Sequence, residues 1–274
     1  MQKASFTERA SAIAFNFTMA IPPAVIFLFT LIPYMPISDE FIAQVFGLVR
    51  DVIPGERDNQ GVIKFLSDIL NKPRSGLLSV GFILAIFFSS NAVMGIMRSF
   101  DRNYIGFRKR TGFSPRWVAL RLTFILFILF IITITALVAQ GKVLRWLGVT
   151  NEGLISLIHN FRWVFIVLMF FLSISFIYRY APAVHKRWKL VNPGSILATF
   201  LMIVFTGGFS FWVSNFSNYN ELYGSISTLL ILMILIHLNS LVLLIGFELN
   251  VSINSLKHEV DERNKNSVDG EQTA

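Results

Sequence analysis

Four side chains near the end of this 274-residue chain could do chemistry where chemistry is costly. His237, Asn239, Glu248 and Asn250 fall in an otherwise apolar run, Gly224–Asn250. A carboxylate, an imidazole and two amides in such a run can relay protons, bind a polar group or join helices. Glu248 follows His237 by eleven residues, about 1,100° of helical rotation, so the two share nearly one face. Asn91, beside Ser89 and Ser90, adds a polar patch in another apolar run. One reading makes Asn91, His237, Asn239, Glu248 and Asn250 an intramembrane polar path. The other pairs Glu248 with a basic residue such as Arg98 or Arg179 and lets His237 and Asn239 bond between helices.

Hydrolytic chemistry finds less support. A nuclease needs metal ligands or an acid–base pair at the phosphate. His159, His185, His237 and His258 are scattered, with no His-x-His or His-x-x-x-His spacing and no phosphate-cradling glycine motif. With no Cys, thiolate metal sites, Cys nucleophiles and disulfides are excluded. The sequence offers no catalytic residue, no metal site and no cofactor, and the expectation is a protein that is not an enzyme.

The elements that must position these residues are membrane spans. Six stretches have the length and apolarity to cross a bilayer: about Ala10–Pro33, Gly76–Met97, Trp117–Ala139, Trp163–Tyr178, Pro193–Phe216 and Gly224–Asn250. A span takes roughly 20 apolar residues. Composition agrees: 54% of residues are hydrophobic, 15% are charged and mean hydropathy is +0.62, where a soluble domain carries about 25% charge. Lys3 and Arg9 before the first run do not make it a cleaved signal, because the run is too long and lacks a small-x-small site. Pro22-Pro23 is expected to kink or break that first span.

Charge placement sets an orientation. With the N-terminus inside, 16 of the 24 Lys and Arg fall in inside segments. That bias favours both termini in the cytoplasm. It also accounts for the net charge of +8 without nucleic acid. Arg98, Arg102, Arg108, Lys109, Arg110, Lys186, Arg187 and Lys189 then face anionic inner-leaflet lipid as candidate contacts. Trp and Tyr cluster at span ends, as amphipathic rings prefer the headgroup zone.

Between spans, the loop Tyr34–Ser75 shows helical spacing twice. Phe41, Val45, Leu48, Val49 and Val52 follow a Ser38 cap, and Val62, Phe65, Leu66 and Ile69 form a second stripe. Two short amphipathic helices on the outer surface are expected. Residues 1–256 form one membrane domain, and the polar segment 257–274 is expected to be a disordered cytoplasmic tail. The fold class is all-α, a six-transmembrane-helix bundle.

Several blocks together resemble the YihY/BrkB family of bacterial inner-membrane proteins, once labelled ribonuclease BN. They are ERASAIAFNF (Glu8–Phe17), SSNAVMGIMRSFDRNY (Ser89–Tyr104), YRYAP…HKRW…NPGSILAT (Tyr178–Thr199), SNFSNYNELYGS (Ser214–Ser225) and LLIGFELN (Leu243–Asn250). Asn16-Phe17 departs mildly from the Tyr-Thr-like pair expected there. The resemblance implies six spans, both termini inside and an envelope role such as export of lipid components. It marks Asn215, Tyr219, Asn220, Tyr223 and Gly224 as an outer-loop signature. The expected function is transporter- or flippase-like handling of lipid or other amphipathic envelope components in the inner membrane, with anionic phospholipid or glycolipid as partner. The alternative is a non-transporting envelope scaffold that binds anionic lipid or partner proteins through basic cytoplasmic loops; a homo-oligomer or an envelope protein partner is also an expectation.

Overall fold

The computed structural model describes residues 5–34, 75–101, 104, 107, 113–146, 152–184, 187–216 and 226–272. Six long helices follow in order: α1 (Phe6–Leu31), α2 (Ser75–Phe100), α3 (Ser114–Trp146), α4 (Glu152–Tyr180), α5 (Pro193–Phe216) and α6 (Ile226–Gln272). A 3-10 turn, Ile32–Tyr34, closes α1. Among the described residues no strand forms beyond an isolated bridge between Phe107 and Val184. Each of the six helices contains a stretch long and apolar enough to cross a membrane. This is an all-α, multi-pass membrane protein. The two surface helices expected in the first outer loop lie outside the described residues.

The helices overrun the hydropathy boundaries, and local chemistry explains where they start. Ser5 and Glu8 form a reciprocal cap on α1: the Ser5 N–H donates to Glu8 Oε2 at 2.8 Å, and the Glu8 N–H donates to Ser5 Oγ at 3.2 Å. Helix α1 then runs without a break through Pro22 and Pro23. Two missing N–H donors leave gaps in the ladder but do not end a helix whose turns on either side are bonded. At the other end of the chain α6 continues to Gln272, over the segment whose composition reads as a tail. Extending a formed helix needs no new nucleus, and Glu259 stands four residues before Arg263, the favourable order for an ion pair on one face.

The chain divides into two compact units, each assembled from separate stretches. The first comprises residues 1–95 and 204–240. Within it α1 and α2 pack closely where side chains are small. A Cβ on Gly81 would stand 3.5 Å from the Phe27 backbone, and one on Gly95 would meet Asn16 at 3.0 Å. Phe27 and Phe82 add a tilted ring contact at 5.4 Å. Gly81 and Ala85 are buried there and Ser89, four residues on, is half-buried; residues this small let another helix approach closely.

The second unit comprises residues 96–203 and 241–274. Its centre is aromatic. Phe100 stacks on Phe247 with centroids 4.0 Å apart and planes 1° from parallel. Tyr178, Tyr104, Phe107 and Trp188 lie around this pair at 5.7–6.2 Å. Phe100, Phe247 and Tyr178 are wholly buried. In contrast Trp117 and Trp163, at span ends, are each 63% exposed, as rings at a membrane boundary are.

Candidate functional site

Two groups of polar residues stand out, one in each unit. In the second unit, α5 begins at a compact cap. Asn192 precedes Pro193, and its Oδ1 accepts from the Ser195 N–H at 2.8 Å while Ser195 Oγ donates back to the Asn192 carbonyl at 2.9 Å. A side-chain acceptor at the cap and Pro in the first helical position are what a free helix start requires. Asn250 on α6 then joins the cap. Its Oδ1 accepts from the Gly194 N–H at 2.9 Å, and its Nδ2 donates to Asn192 Oδ1 at 2.6 Å.

The backbones meet at this point. A Cβ on Gly194 would collide with the Gly246 carbonyl and the Asn250 amide, and a Cβ on Gly246 would stand 2.6 Å from the Gly194 carbonyl. Tyr178 braces the same stretch of α6, donating its hydroxyl to the Leu243 carbonyl at 2.7 Å. Asn250 is therefore a buried fastener between α5 and α6.

Glu248 is half-buried, one residue past the stacked Phe247, and accepts the Tyr104 hydroxyl at 2.6 Å. A bond this short to a carboxylate is of the strong, charge-assisted kind. The hydroxyl comes from the connection after α2, so a residue of that connection helps to fix Glu248.

In the first unit the group is more open. Asn239 on α6 donates to the Thr206 hydroxyl of α5 at 3.2 Å and to the Leu235 carbonyl at 3.0 Å. Thr206 is exposed and Asn239 half-buried. Gly207 and Gly208, next along α5, have open space where a side chain would be. His237 is half-buried, and no described residue hydrogen-bonds to it. Asn91, also in this unit, is half-buried and bonded.

Of the basic residues, Arg98, Arg187 and Lys189 are exposed in the second unit. The Arg187 guanidinium lies over the Tyr180 ring at 5.2 Å, beside Arg179 at 5.8 Å. Arg102, Arg108, Lys109, Arg110 and Lys186 lie outside the described residues, as do Tyr219, Asn220, Tyr223 and Gly224. Asn215 falls in the last turn of α5. Among the described residues no group of three or more His, Cys, Asp or Glu is placed to hold a metal ion.

A family model described as virulence factor BrkB matches residues 1–271. The chain belongs to the BrkB family. Within it, the chain is 29% identical over 259 residues to a Bacillus subtilis (strain 168) protein named ribonuclease-like YfkH, covering 93% of this chain and 92% of that one. It is 25% identical over 258 residues to UPF0761 membrane proteins of Xanthomonas campestris pv. campestris (strain B100) and Xanthomonas axonopodis pv. citri (strain 306). The match takes in 92% of this chain and 58% of each of those relatives. No solved structure matches.

For this BrkB-family chain, sequence reasoning picked out Glu248, Asn250, His237 and Asn239 but not the residues that hold them. Tyr104, Asn192, Gly194, Tyr178 and Thr206 were missed as partners. A signal existed for one of them: Asn-Pro-Gly-Ser at 192–195 is a helix-start pattern with Asn at the cap. The others lie far off in sequence and carry no local mark.

Proposed function

We propose that this BrkB-family membrane protein moves amphipathic envelope molecules across the bacterial inner membrane, in the manner of a transporter or flippase, with both termini in the cytoplasm. The observation that carries the reading is the open polar pair of the first unit. Thr206 lies 13 residues beyond Pro193, about 20 Å along a span whose hydrocarbon zone is about 30 Å thick. It is exposed, hydrogen-bonded to Asn239 and followed by two glycines that leave space beside it. Polar groups on a surface facing only acyl chains are costly. A polar headgroup or water passing this notch would satisfy them, and the half-buried imidazole of His237 adds a second polar partner on α6.

No nucleotide-binding motif occurs in the sequence, so movement would be passive, ion-coupled or driven by a separate ATPase. In this reading the protein is not an enzyme, and the ribonuclease-like name of the Bacillus subtilis relative is not carried over. A second reading has its own support. Exposed Arg98, Arg187 and Lys189 offer cations to anionic lipid without any transport.

Lipid translocation in proteoliposomes separates the two. Fluorescent phospholipids and glycolipids with a leaflet-selective quencher give the rate. The transport reading expects wild-type translocation that Asn239→Leu with Thr206→Val slows about tenfold, the factor that ~1.4 kcal/mol of added barrier produces, at unchanged protein abundance. Absence of translocation for every lipid, with and without an ion gradient, would sink it and leave the lipid-binding scaffold.

A further inference from the structure

The face of α3 that carries Arg121 has no part in either polar group described above. Trp117, Phe124 and Ile128 on it are 63%, 44% and 55% exposed, Phe113 just before the helix is 85% exposed, and Arg121 is exposed with them. Positions 117, 121, 124 and 128 follow the three-and-four spacing of one helix face. The opposite side, Ala119, Leu122 and Thr123, is buried. Arg121 therefore projects from the apolar, outward side of a membrane span, since the span covers Ser114–Ile134.

A guanidinium in that position needs an anion. Residue 121 is seven positions past Ser114, about 10 Å along the helix axis. No described residue gives Arg121 a hydrogen bond, ion pair or ring contact, and α3 itself contains no Asp or Glu. A side chain on a helix leans toward the helix N-terminus, and a long basic one stretches further toward the interface. Both effects carry the guanidinium back toward the level of Trp117 and the Ser114 end of the span. There Trp117 offers an indole at headgroup depth, and the helix N-terminus contributes its positive dipole end. What occupies this zone beside an outward-facing apolar surface is phospholipid.

We propose that Arg121 and Trp117 form a binding site for the phosphate of a membrane phospholipid, selective for lipids of net negative charge. Arg121 supplies charge-assisted hydrogen bonds to the phosphate oxygens, and Trp117 packs against the glycerol and upper acyl chain while its N–H faces the headgroup. A zwitterionic lipid presents the same phosphate already neutralised by its own cation, so it binds less well. The site stands whether or not the protein transports lipid, because it needs only the lipid-facing surface of α3.

Quenching of Trp117 by brominated lipid tests this. The full-length protein is reconstituted in phosphatidylcholine vesicles containing graded amounts of phosphatidylglycerol or phosphatidylcholine brominated high on the acyl chain. The difference between wild type and Trp117→Phe isolates the Trp117 signal. The expected result is an apparent association about fivefold stronger for phosphatidylglycerol, the scale of one basic residue near a membrane surface. Arg121→Gln should bring the two lipids level, and Arg121→Lys should keep the preference in a folded protein. Equal quenching by both lipids in the wild type, or a preference that survives Arg121→Gln, overturns the proposal. So does Trp117 that neither lipid quenches, which would mean a protein surface, such as a second copy of the chain, covers this face.

Discussion

Gly194 and Gly246 bring the backbones of α5 and α6 into direct contact, so that the carbonyl of each occupies space a side chain on the other would need. No rotamer change can relieve that overlap, because the opposing atoms are main chain. Gly194→Ala and Gly246→Ala should each destabilise the protein by about 3 kcal/mol, the upper part of the usual overpacking cost. Thermal unfolding in detergent, read beside expression level, measures it. Gly207→Ala and Gly208→Ala are the controls on α5. With nothing within 4 Å of either added Cβ, they should leave the midpoint unchanged or raise it, since Ala exceeds Gly in helix preference by roughly 0.5–1 kcal/mol.

Asn250 converts that contact into a specific one, because it both accepts and donates. Asn250→Asp preserves shape and the bond from the Gly194 N–H but turns the donor facing Asn192 Oδ1 into a second acceptor. Two buried oxygens then oppose each other, one of them charged. Asn250→Ala instead strands the Gly194 N–H, while Asn192 Oδ1 retains the Ser195 N–H. A single buried orphan costs about 1–3 kcal/mol. The expected order of unfolding midpoints is wild type, then Asn250→Ala, then Asn250→Asp. An Asp variant as stable as wild type would show that the amide nitrogen contributes nothing.

The difference between what hydropathy reveals and what it hides is visible in these residues. Spans were legible because lipid demands about 20 apolar residues whatever the neighbours are. Helix ends were not, since a helix persists beyond the apolar zone once formed: α3 continues to Trp146 and α4 begins at Glu152. Asn250 and Glu248 were legible as polar residues in an apolar run. Their partners were not, because Gly194 and Asn192 lie 56 and 58 positions away and Tyr104 lies 144 away. Which helices meet is decided by small residues and caps, and a hydropathy window averages those out. Arg121 shows the same limit from the other side. A hydropathy window reads it as one charge near a span end, whereas the helix sets it on an exposed face beside Trp117 and Phe124.

Ser175 gives a prediction of opposite sign. Its hydroxyl is fully buried in α4 and has no hydrogen-bond partner among the described residues. Two residues earlier, Ser173 Oγ donates to the Met169 carbonyl at 2.9 Å. A buried polar group left unbonded costs free energy that its removal regains. Ser175→Ala should therefore raise stability by about 1 kcal/mol, whereas Ser173→Ala should lower it slightly. Unfolding midpoints of the two variants, measured together, check the contrast. A loss on Ser175→Ala would mean the oxygen is bonded in the membrane, to water or to a ligand.

The bond from Tyr104 to Glu248 allows charge and structure to be separated at the one carboxylate in the second half of α6's apolar run. Glu248→Gln keeps an oxygen to accept the Tyr104 hydroxyl and removes only the charge. At the Tyr104 bond itself the change should cost about 1 kcal/mol, the difference between charged and neutral hydrogen bonds. Tyr104→Phe keeps the charge and removes the donor, costing about 1.5–3 kcal/mol. With Glu248→Leu as the second arm of a double-mutant cycle, the pair should couple by about 1–2 kcal/mol. Lipid translocation in the same variants then carries a clean meaning. If Glu248→Gln abolishes it at wild-type abundance while Tyr104→Phe retains it in proportion to folded protein, the charge takes part in movement across the membrane. Equal activity in both, scaled only by abundance, would make Glu248 a fastener like Asn250 and leave the transport reading resting on Thr206 and Asn239 alone.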